Sequence, residues 1–385
     1  MSSLEEFAAE RLRALERRRL RRRLAVTERQ AGAGARRDDA TLVSFACNDY
    51  LGFSHHPDVI EASAAATRRY GTGAGAARLI TGNHPLYDEL ERKLAAWKGT
   101  EDCVVFGSGY LTNVGVVPAL VGAADLVLVD ELAHSCLLTG AALSRARVLH
   151  FRHNDAAHAA ELLGRHRDRH RHCLILTEGV FSMDGDVAPL PALAELAATH
   201  DAWLMVDDAH ALGVLGGGRG TAFAWSPPVR VPLQMGTLSK ALGAYGGYLC
   251  ASRAVAELVR NRARSFVYST GLPPGVVAAA GKALDLLAAD PARAAVPLAR
   301  ARAFTAALGL PAAASAVVPL VLGSTERALA ASAALQQAGF LVPAIRPPTV
   351  PPGTARLRVA FSAEHSETDV RRLAAAIAPL LEPAP

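Results

Sequence analysis

Lys240 sits in Met235-Gly-Thr-Leu-Ser-Lys-Ala-Leu-Gly-Ala-Tyr-Gly-Gly247, among hydroxyl residues and glycines. The chain has only four lysines, Lys93, Lys98, Lys240 and Lys282, and the other 37 of its 41 basic residues are arginine (41 − 4). An arginine stays charged, whereas an amine can shed its proton and attack a carbonyl. A lysine kept in this composition therefore points to Schiff-base chemistry. Thr237 and Ser239 can donate hydrogen bonds to an anion, and Gly243, Gly246 and Gly247 let backbone approach a bound group. Upstream, Val104-Val-Phe-Gly-Ser-Gly-Tyr-Leu-Thr-Asn113 reads as an apolar strand, a turn and a helix start. The first N–H groups of such a helix, joined by Ser108, make an anion cradle for which phosphate is the natural guest. Asp207 follows the apolar run Trp203–Val206, and His210 comes three residues later. His134 and Ser182 follow two other apolar runs, Leu126–Val129 and Cys173–Leu176.

These runs need a scaffold, and 385 residues suffice for two or three domains with a large core. A hydrophobic content of 51% with 20% charged residues describes a soluble globular protein. The formal charge of +5 gives no reason to expect nucleic acid as a partner. No run of 18 apolar residues occurs and the N-terminus opens with Glu and Arg, which argues against a membrane span or signal peptide. The five cysteines are scattered and lack a C-x-x-C pair. They read as reduced, buried and cytoplasmic, without a disulfide framework or a metal site.

Short apolar strands alternating with helices predict an α/β fold with a right-handed, parallel sheet. His134, Ser182, Asp207 and His210 then collect at the C-terminal strand edge, where such sheets bind ligands. Residues 4–24 read as a helix ending in the basic cluster Arg17–Arg23, either a solvated face or a trap for an acidic group. Gly71-Thr-Gly-Ala-Gly75 is glycine-dense but is not a G-x-G-x-x-G dinucleotide loop. The stretch Arg165–His172 reads as a solvated loop. Helix Pro85–Trp97 shows core spacing. Beyond residue 285, strands Ala316–Leu322 and Ala355–Phe361 alternate with helices, as in a small α+β domain. The expected division is 1–47 (helix and strand segment), 48–284 (large α/β domain) and 285–385 (small C-terminal α+β domain).

A Schiff-base lysine, a phosphate cradle and a carboxylate behind a strand together fit pyridoxal 5′-phosphate (PLP), whose ring nitrogen must stay protonated to draw electrons from a substrate carbon. Asp207 can supply the charge at that nitrogen, His210 can reach the phenolic oxygen, and His134 can lie flat on the ring. Gly109, Tyr110, Thr237 and Ser239 can hold the phosphate, and Lys240 can double as general base.

Asp207-Asp-Ala-His210 and Gly236-Thr-Leu-Ser-Lys240-Ala-Leu-Gly resemble the α-oxoamine synthases, PLP enzymes of fold-type I. Asn48-Asp-Tyr-Leu-Gly52, His153-Asn-Asp155, Glu178-Gly-Val-Phe-Ser-Met-Asp-Gly-Asp186 and Thr354-Ala-Arg-Leu-Arg358 extend the match over nearly the whole chain. The resemblance implies a mainly parallel sheet and a homodimer with active sites at the interface. It implies that Lys240 carries the Schiff base, Asp207 pairs with the ring nitrogen, His134 stacks on the ring, and Ser182 and His210 contact the ring oxygen. Gly109, Tyr110 and Thr237 would hold the cofactor, Arg358 would grip the amino-acid carboxylate, and Arg21 and Thr349 would contact substrate. Ile345-Arg-Pro-Pro-Thr-Val-Pro351 is most similar to the branch that condenses L-alanine with a pimeloyl thioester, on coenzyme A or an acyl carrier protein, in biotin synthesis. A sister enzyme using glycine or serine with another acyl-CoA, an aminotransferase on the same fold, and a nucleic-acid-binding protein without catalysis are the alternatives. The chain departs from the family pattern at Ala76-Ala77-Arg78, at Tyr87 and at Ala211-Leu212-Gly213, which touch loop packing and the thioester channel and leave the cofactor residues as they are.

Overall fold

Apolar runs ending in a polar residue become the strands of one seven-stranded sheet. The structure, a computed structural model, describes residues 2–381. Across the sheet the strands are Asp102–Phe106, Gly247–Ala251, Leu233–Thr237, Trp203–Asp207, Cys173–Glu178, Leu126–Asp130 and Arg147–Phe151. Gly247–Ala251 runs antiparallel to both neighbours, and the remaining pairs are parallel. Helices cover both faces, so the central strands are buried along their length. Arg147–Phe151, Leu233–Thr237 and Gly247–Ala251 are additions to the strands read from sequence. No helix among the described residues is long and apolar enough to cross a membrane.

The N-terminal helix corrects one expectation. It spans Ser3–Arg17 and stops there, rather than running to residue 24, and Arg19 has a φ of +53°. Continuing it would stack Arg17 on Arg21, Arg18 on Arg22 and Arg19 on Arg23, like charges one turn apart. Instead Arg346 reaches over and donates to the carbonyls of Arg19 (2.7 Å) and Arg21 (2.9 Å). The stretch Arg165–His172 is also less solvated than its charge suggests. A helix runs through His166, Arg167 donates to the carbonyls of His200 (2.8 Å) and Asp201 (2.9 Å), and His172 stacks on Trp203.

Toward the C-terminus, Val317–Gly323, Ala355–Ala360 and Ala344–Ile345 form an antiparallel sheet. Its apolar side belongs to a cluster running from Phe45 and Ala301 to Ile377, which supports the proposed smaller unit. Ala355–Ala360 alternates as expected, yet all six residues are buried. Its polar face packs on the turn after Cys173–Glu178: Arg356 pairs with Asp184 (2.5 Å) and Arg358 Nε donates to the Ser182 carbonyl (2.6 Å). Burying alternate arginines thus brings Arg358 to the edge of the large sheet.

Two of the family departures have local explanations. The Arg78 side chain is 8% exposed, paired with Glu91 (2.5 Å), and its guanidinium lies 3.8 Å over the Tyr87 ring. The Tyr87 hydroxyl accepts the Leu272 N–H, anchoring the segment that follows Tyr268.

Candidate active site

Strand register assembles the site. Glu178 pairs with Asp207, so those two parallel strands finish level, while the strand that pairs Met235 with Asp207 runs on to Thr237, and the side chains at these ends crowd one edge. Asp207 is buried there. Its Oδ2 accepts from Asn113 Nδ2 at 2.7 Å and its Oδ1 from the Ala209 N–H at 2.9 Å, which fixes both oxygens while leaving lone pairs for a ligand.

Asn113 also donates to Cys136 Sγ at 3.0 Å, and that sulfur lies 2.8 Å from His134 Nδ1. Burial, followed by the charge of Asp207, pushes the Cys136 thiol up to about 12, so it keeps its hydrogen and donates it to Nδ1. The bond network therefore assigns the His134 hydrogen to Nε2. Burial lowers the His134 pKa and keeps the ring neutral.

Lys240 lies in the turn between Leu233–Thr237 and Gly247–Ala251. Gly243 in that turn has φ +61°, and a Cβ there would sit 2.3 Å from Ser54 N. The glycines behind the lysine thus press against the protein itself. Burial holds the Lys240 ammonium below the usual lysine range. Asp207 and Glu178 pull it back up, and the Arg358 charge pushes it further down.

Glu178 and Asn113 join the residues expected from sequence. The Glu178 carboxylate accepts the backbone N–H groups of His134 (2.8 Å) and Ser182 (3.3 Å), fixing two loops at once. Burial, and then the Asp207 charge, raise it well above the usual carboxylate range.

His210 is buried, its Nδ1 2.6 Å from the Tyr50 hydroxyl. Burial, with the nearby Lys240 and Arg358 charges, holds its pKa far down, so it is a neutral ring. With Tyr50 donating to Nδ1, the Nε2–H is left for a ligand oxygen. Ser182 is also buried, and its hydroxyl makes no hydrogen bond among the described residues.

The anion cradle lies where helix Gly109–Leu120 begins, against the strand that ends in Thr237. Ser108 caps helix Gly109–Leu120, its hydroxyl taking the Leu111 N–H at 3.1 Å, and the N–H groups of Gly109 and Tyr110 have no acceptor within the helix. A Cβ at Gly109 would meet Met235 Cε at 3.2 Å and Thr237 Cβ at 3.4 Å, and one at Gly247 would lie 2.6 Å from Gly109 N. Side chains there would fill the cradle. The Thr237 hydroxyl donates to the Gly246 carbonyl (2.8 Å) and lies 2.7 Å from Ser239 Oγ, so an anion must recruit these hydroxyls from an internal pair. The Tyr110 ring is exposed, its hydroxyl 3.3 Å from Thr139.

Arg358 is 4% exposed. Its Nη1 donates to Asn48 Oδ1 at 3.1 Å, while Nη2 is buried with no hydrogen-bond partner among the described residues. An unpaired buried guanidinium nitrogen is costly, and a bound carboxylate would satisfy it. Arg21 and Thr349 make no hydrogen bond to these site residues among the described residues. Arg21 bonds Glu16 at 3.2 Å, and it is Arg22 that donates to the Thr349 hydroxyl (2.8 Å).

Known proteins share this arrangement of the chain. The aminotransferase class I and II family matches residues 40–377. The 8-amino-7-oxononanoate synthase of Methylobacterium sp. (strain 4-46) is 60% identical over 97% of this chain and 96% of its own. That of Maricaulis maris is 57% identical over 100% and 98%. Among solved structures, a variant of serine palmitoyltransferase from S. paucimobilis with bound PLP-myriocin aldimine aligns with a TM-score of 0.92 and 28% identity, covering 99% of this chain and 98% of that one. With a family match over most of its length and synthases near 60% identical end to end, the chain belongs to the aminotransferase class I and II family, on the branch of the 8-amino-7-oxononanoate synthases.

Proposed function

We propose that the chain condenses L-alanine with a pimeloyl thioester, with loss of carbon dioxide and free thiol, to give 8-amino-7-oxononanoate in biotin synthesis, using PLP. The observation that carries this reading is the meeting of the Lys240 amine, the Asp207 carboxylate and the unpaired Arg358 Nη2 at one strand edge. When bound, PLP supplies an aldehyde for amines and a ring that takes up electron density from the carbon next to nitrogen.

The chain's own residues do the rest. Asp207, braced by Asn113, would keep a proton on the ring nitrogen. Gly109, Tyr110, Thr237 and Ser239 would take the phosphate, while His210 Nε2–H and the Ser182 hydroxyl would meet the ring oxygen. His134 would cover the ring of the bound group. Arg358 Nη2 binds the alanine carboxylate and orients the Cα–H toward Lys240, whose depressed amine removes that proton and later returns it. Arg358→Ala is expected to raise the KM for L-alanine about 10- to 100-fold, as loss of one charged hydrogen bond does, with cofactor content unchanged. Steady-state kinetics at saturating thioester measure it.

We further propose a homodimer with its sites at the interface. Leu79 (54% exposed), Ile80 (75%), Tyr245 (54%) and Tyr268 (72%) leave apolar surface on the Lys240 turn and on segments joined by the Ala77–Thr270 bridge. A cytoplasmic setting suits the free thiols of Cys47, Cys103, Cys136, Cys173 and Cys250.

The holoenzyme given L-alanine and pimeloyl-CoA is expected to release thiol, carbon dioxide and amino-ketone in equal amounts, and a pimeloyl-carrier protein arm tests the other donor. Product from glycine or serine alone would instead mark a sister synthase. Pyridoxamine without carbon dioxide would mark an aminotransferase.

A further inference from the structure

His153 takes no part in the chemistry above, yet both its ring nitrogens face carboxylates. Nδ1 lies 3.0 Å from Asp130 Oδ1, and Nε2 lies 2.8 Å from Asp186 Oδ2. An ionised carboxylate only accepts, so both nitrogens must carry hydrogen and the ring must be an imidazolium. The groups around it reinforce the demand. Asp130 Oδ2 takes the Asn154 N–H (2.8 Å), Asn154 Nδ2 donates to Asp186 Oδ2 (2.9 Å), and Glu131 accepts the His153 N–H (3.0 Å). Phe181 stands edge-on at 4.4 Å. The neighbouring cations are engaged elsewhere: Arg152 with Asp155 (2.7 Å) and Arg356 with Asp184 (2.5 Å). His153 is therefore the cation that balances Asp130 and Asp186.

The two carboxylates belong to the two loops that build the site. Asp130 ends its strand and takes the Leu132 N–H (2.9 Å), shaping the bend that delivers His134 onto Glu178. Asp186 closes a turn in which Phe181 N–H meets the Asp186 carbonyl (3.0 Å) and Gly185 N–H meets the Phe181 carbonyl (2.8 Å). That turn holds Ser182, whose carbonyl receives Arg358 Nε.

We propose that His153 is a positioning residue, a two-ended imidazolium rivet that locks the loop presenting His134 to the turn presenting Ser182 and Arg358. Burial alone would lower its pKa, but the bonds to Asp130 and Asp186 overcome this and take it to about 10. The sign follows: the folded pKa exceeds the ordinary 6.5, so the rivet stabilises fully below 6.5, weakens as pH rises, and is lost above about 10.

The test uses wild-type holoenzyme with nitrogen-15 histidine, alongside His153→Gln and Asp186→Asn. One histidine, missing from the His153→Gln spectrum, is expected to show two protonated ring nitrogens at about pH 8, with Asp186→Asn titrating at lower pH. A singly protonated ring there overturns the proposal. L-Alanine binding, followed by the cofactor's absorbance, tests positioning and rests on the carboxylate role of Arg358. His153→Gln is expected to weaken it about tenfold with cofactor content unchanged, and unaltered affinity in a merely less heat-stable variant overturns the proposal. If wild-type enzyme binds no alanine, the proposed function fails, while the nitrogen-15 spectra still decide the charge of His153. If His153→Gln does not fold, Asp186→Asn carries both measurements.

Discussion

Lys240→Ala is expected to cut condensation by about 10⁴-fold or more while the protein folds as before. General-base catalysis alone accounts for up to about 10⁴, and in the proposed mechanism the same amine also makes the covalent link to the cofactor aldehyde, so both contributions go together. The fold should not notice. The Lys240 amine makes no hydrogen bond among the described residues, and burial disfavours its charge, so alanine relieves a cost there. Borohydride treatment followed by mass spectrometry should fix cofactor to wild-type protein and leave the variant unlabelled. A small primary amine added to Lys240→Ala should restore part of the turnover, because the site around the missing group stays in place. Because the working base is the neutral amine, turnover should rise with pH through a value below that of an ordinary lysine. A variant that condenses alanine at the wild-type rate would remove the basis of the mechanism.

Much of this pocket is legible in the sequence because parallel strands put chemistry where the apolar run stops. Asp207, Ser182 and His134 each follow such a run, and strand register does the rest. Glu178 is harder to see, since its importance comes from facing Asp207 across the sheet and holding His134 and Ser182 by their backbones. Asn113 is hidden in an apolar helix, where only the three-dimensional approach to Asp207 marks it. The reversed strand Gly247–Ala251 escaped because its glycines continue a loop pattern. The nine residues 238–246 before it are a signal, being too short for a parallel crossover of about a dozen. The arginine run after residue 17 gives no register by itself. Only the contact of Arg346 with the carbonyls of Arg19 and Arg21 decides that Arg22, and not Arg21, meets Thr349.

The scarcity of lysine that draws attention to Lys240 applies equally to Lys98, and there the structure gives a different answer. Lys98 is 0% exposed. Its ammonium donates to Asp208 Oδ2 at 2.8 Å and to the Arg219 carbonyl at 2.6 Å. A Cβ at Gly220 would come 2.8 Å from that ammonium and 2.2 Å from Asp208 Oδ2, a space too tight for the broad head of arginine. Lys98→Met keeps the length and apolar stem but leaves the Asp208 carboxylate buried without its cation, which costs about 3–5 kcal/mol. Denaturant midpoints should show a loss of that size. The double variant Lys98→Met/Asp208→Asn should recover much of it, because Oδ1 can still accept the Thr221 N–H, as it does at 3.1 Å in the wild type, with no charge left stranded. The effect should also reach the cofactor. Asp208 is the residue after Asp207, and its backbone N–H is pinned to the Met235 carbonyl at 2.9 Å. Loosening it shifts the Asp207 carboxylate proposed to meet the ring nitrogen, so Lys98→Met should release PLP faster on dialysis, and the double variant should retain it. If the single variant matches wild type in both stability and cofactor retention, Asp208 does not depend on Lys98, and the buried pair plays no part in holding Asp207.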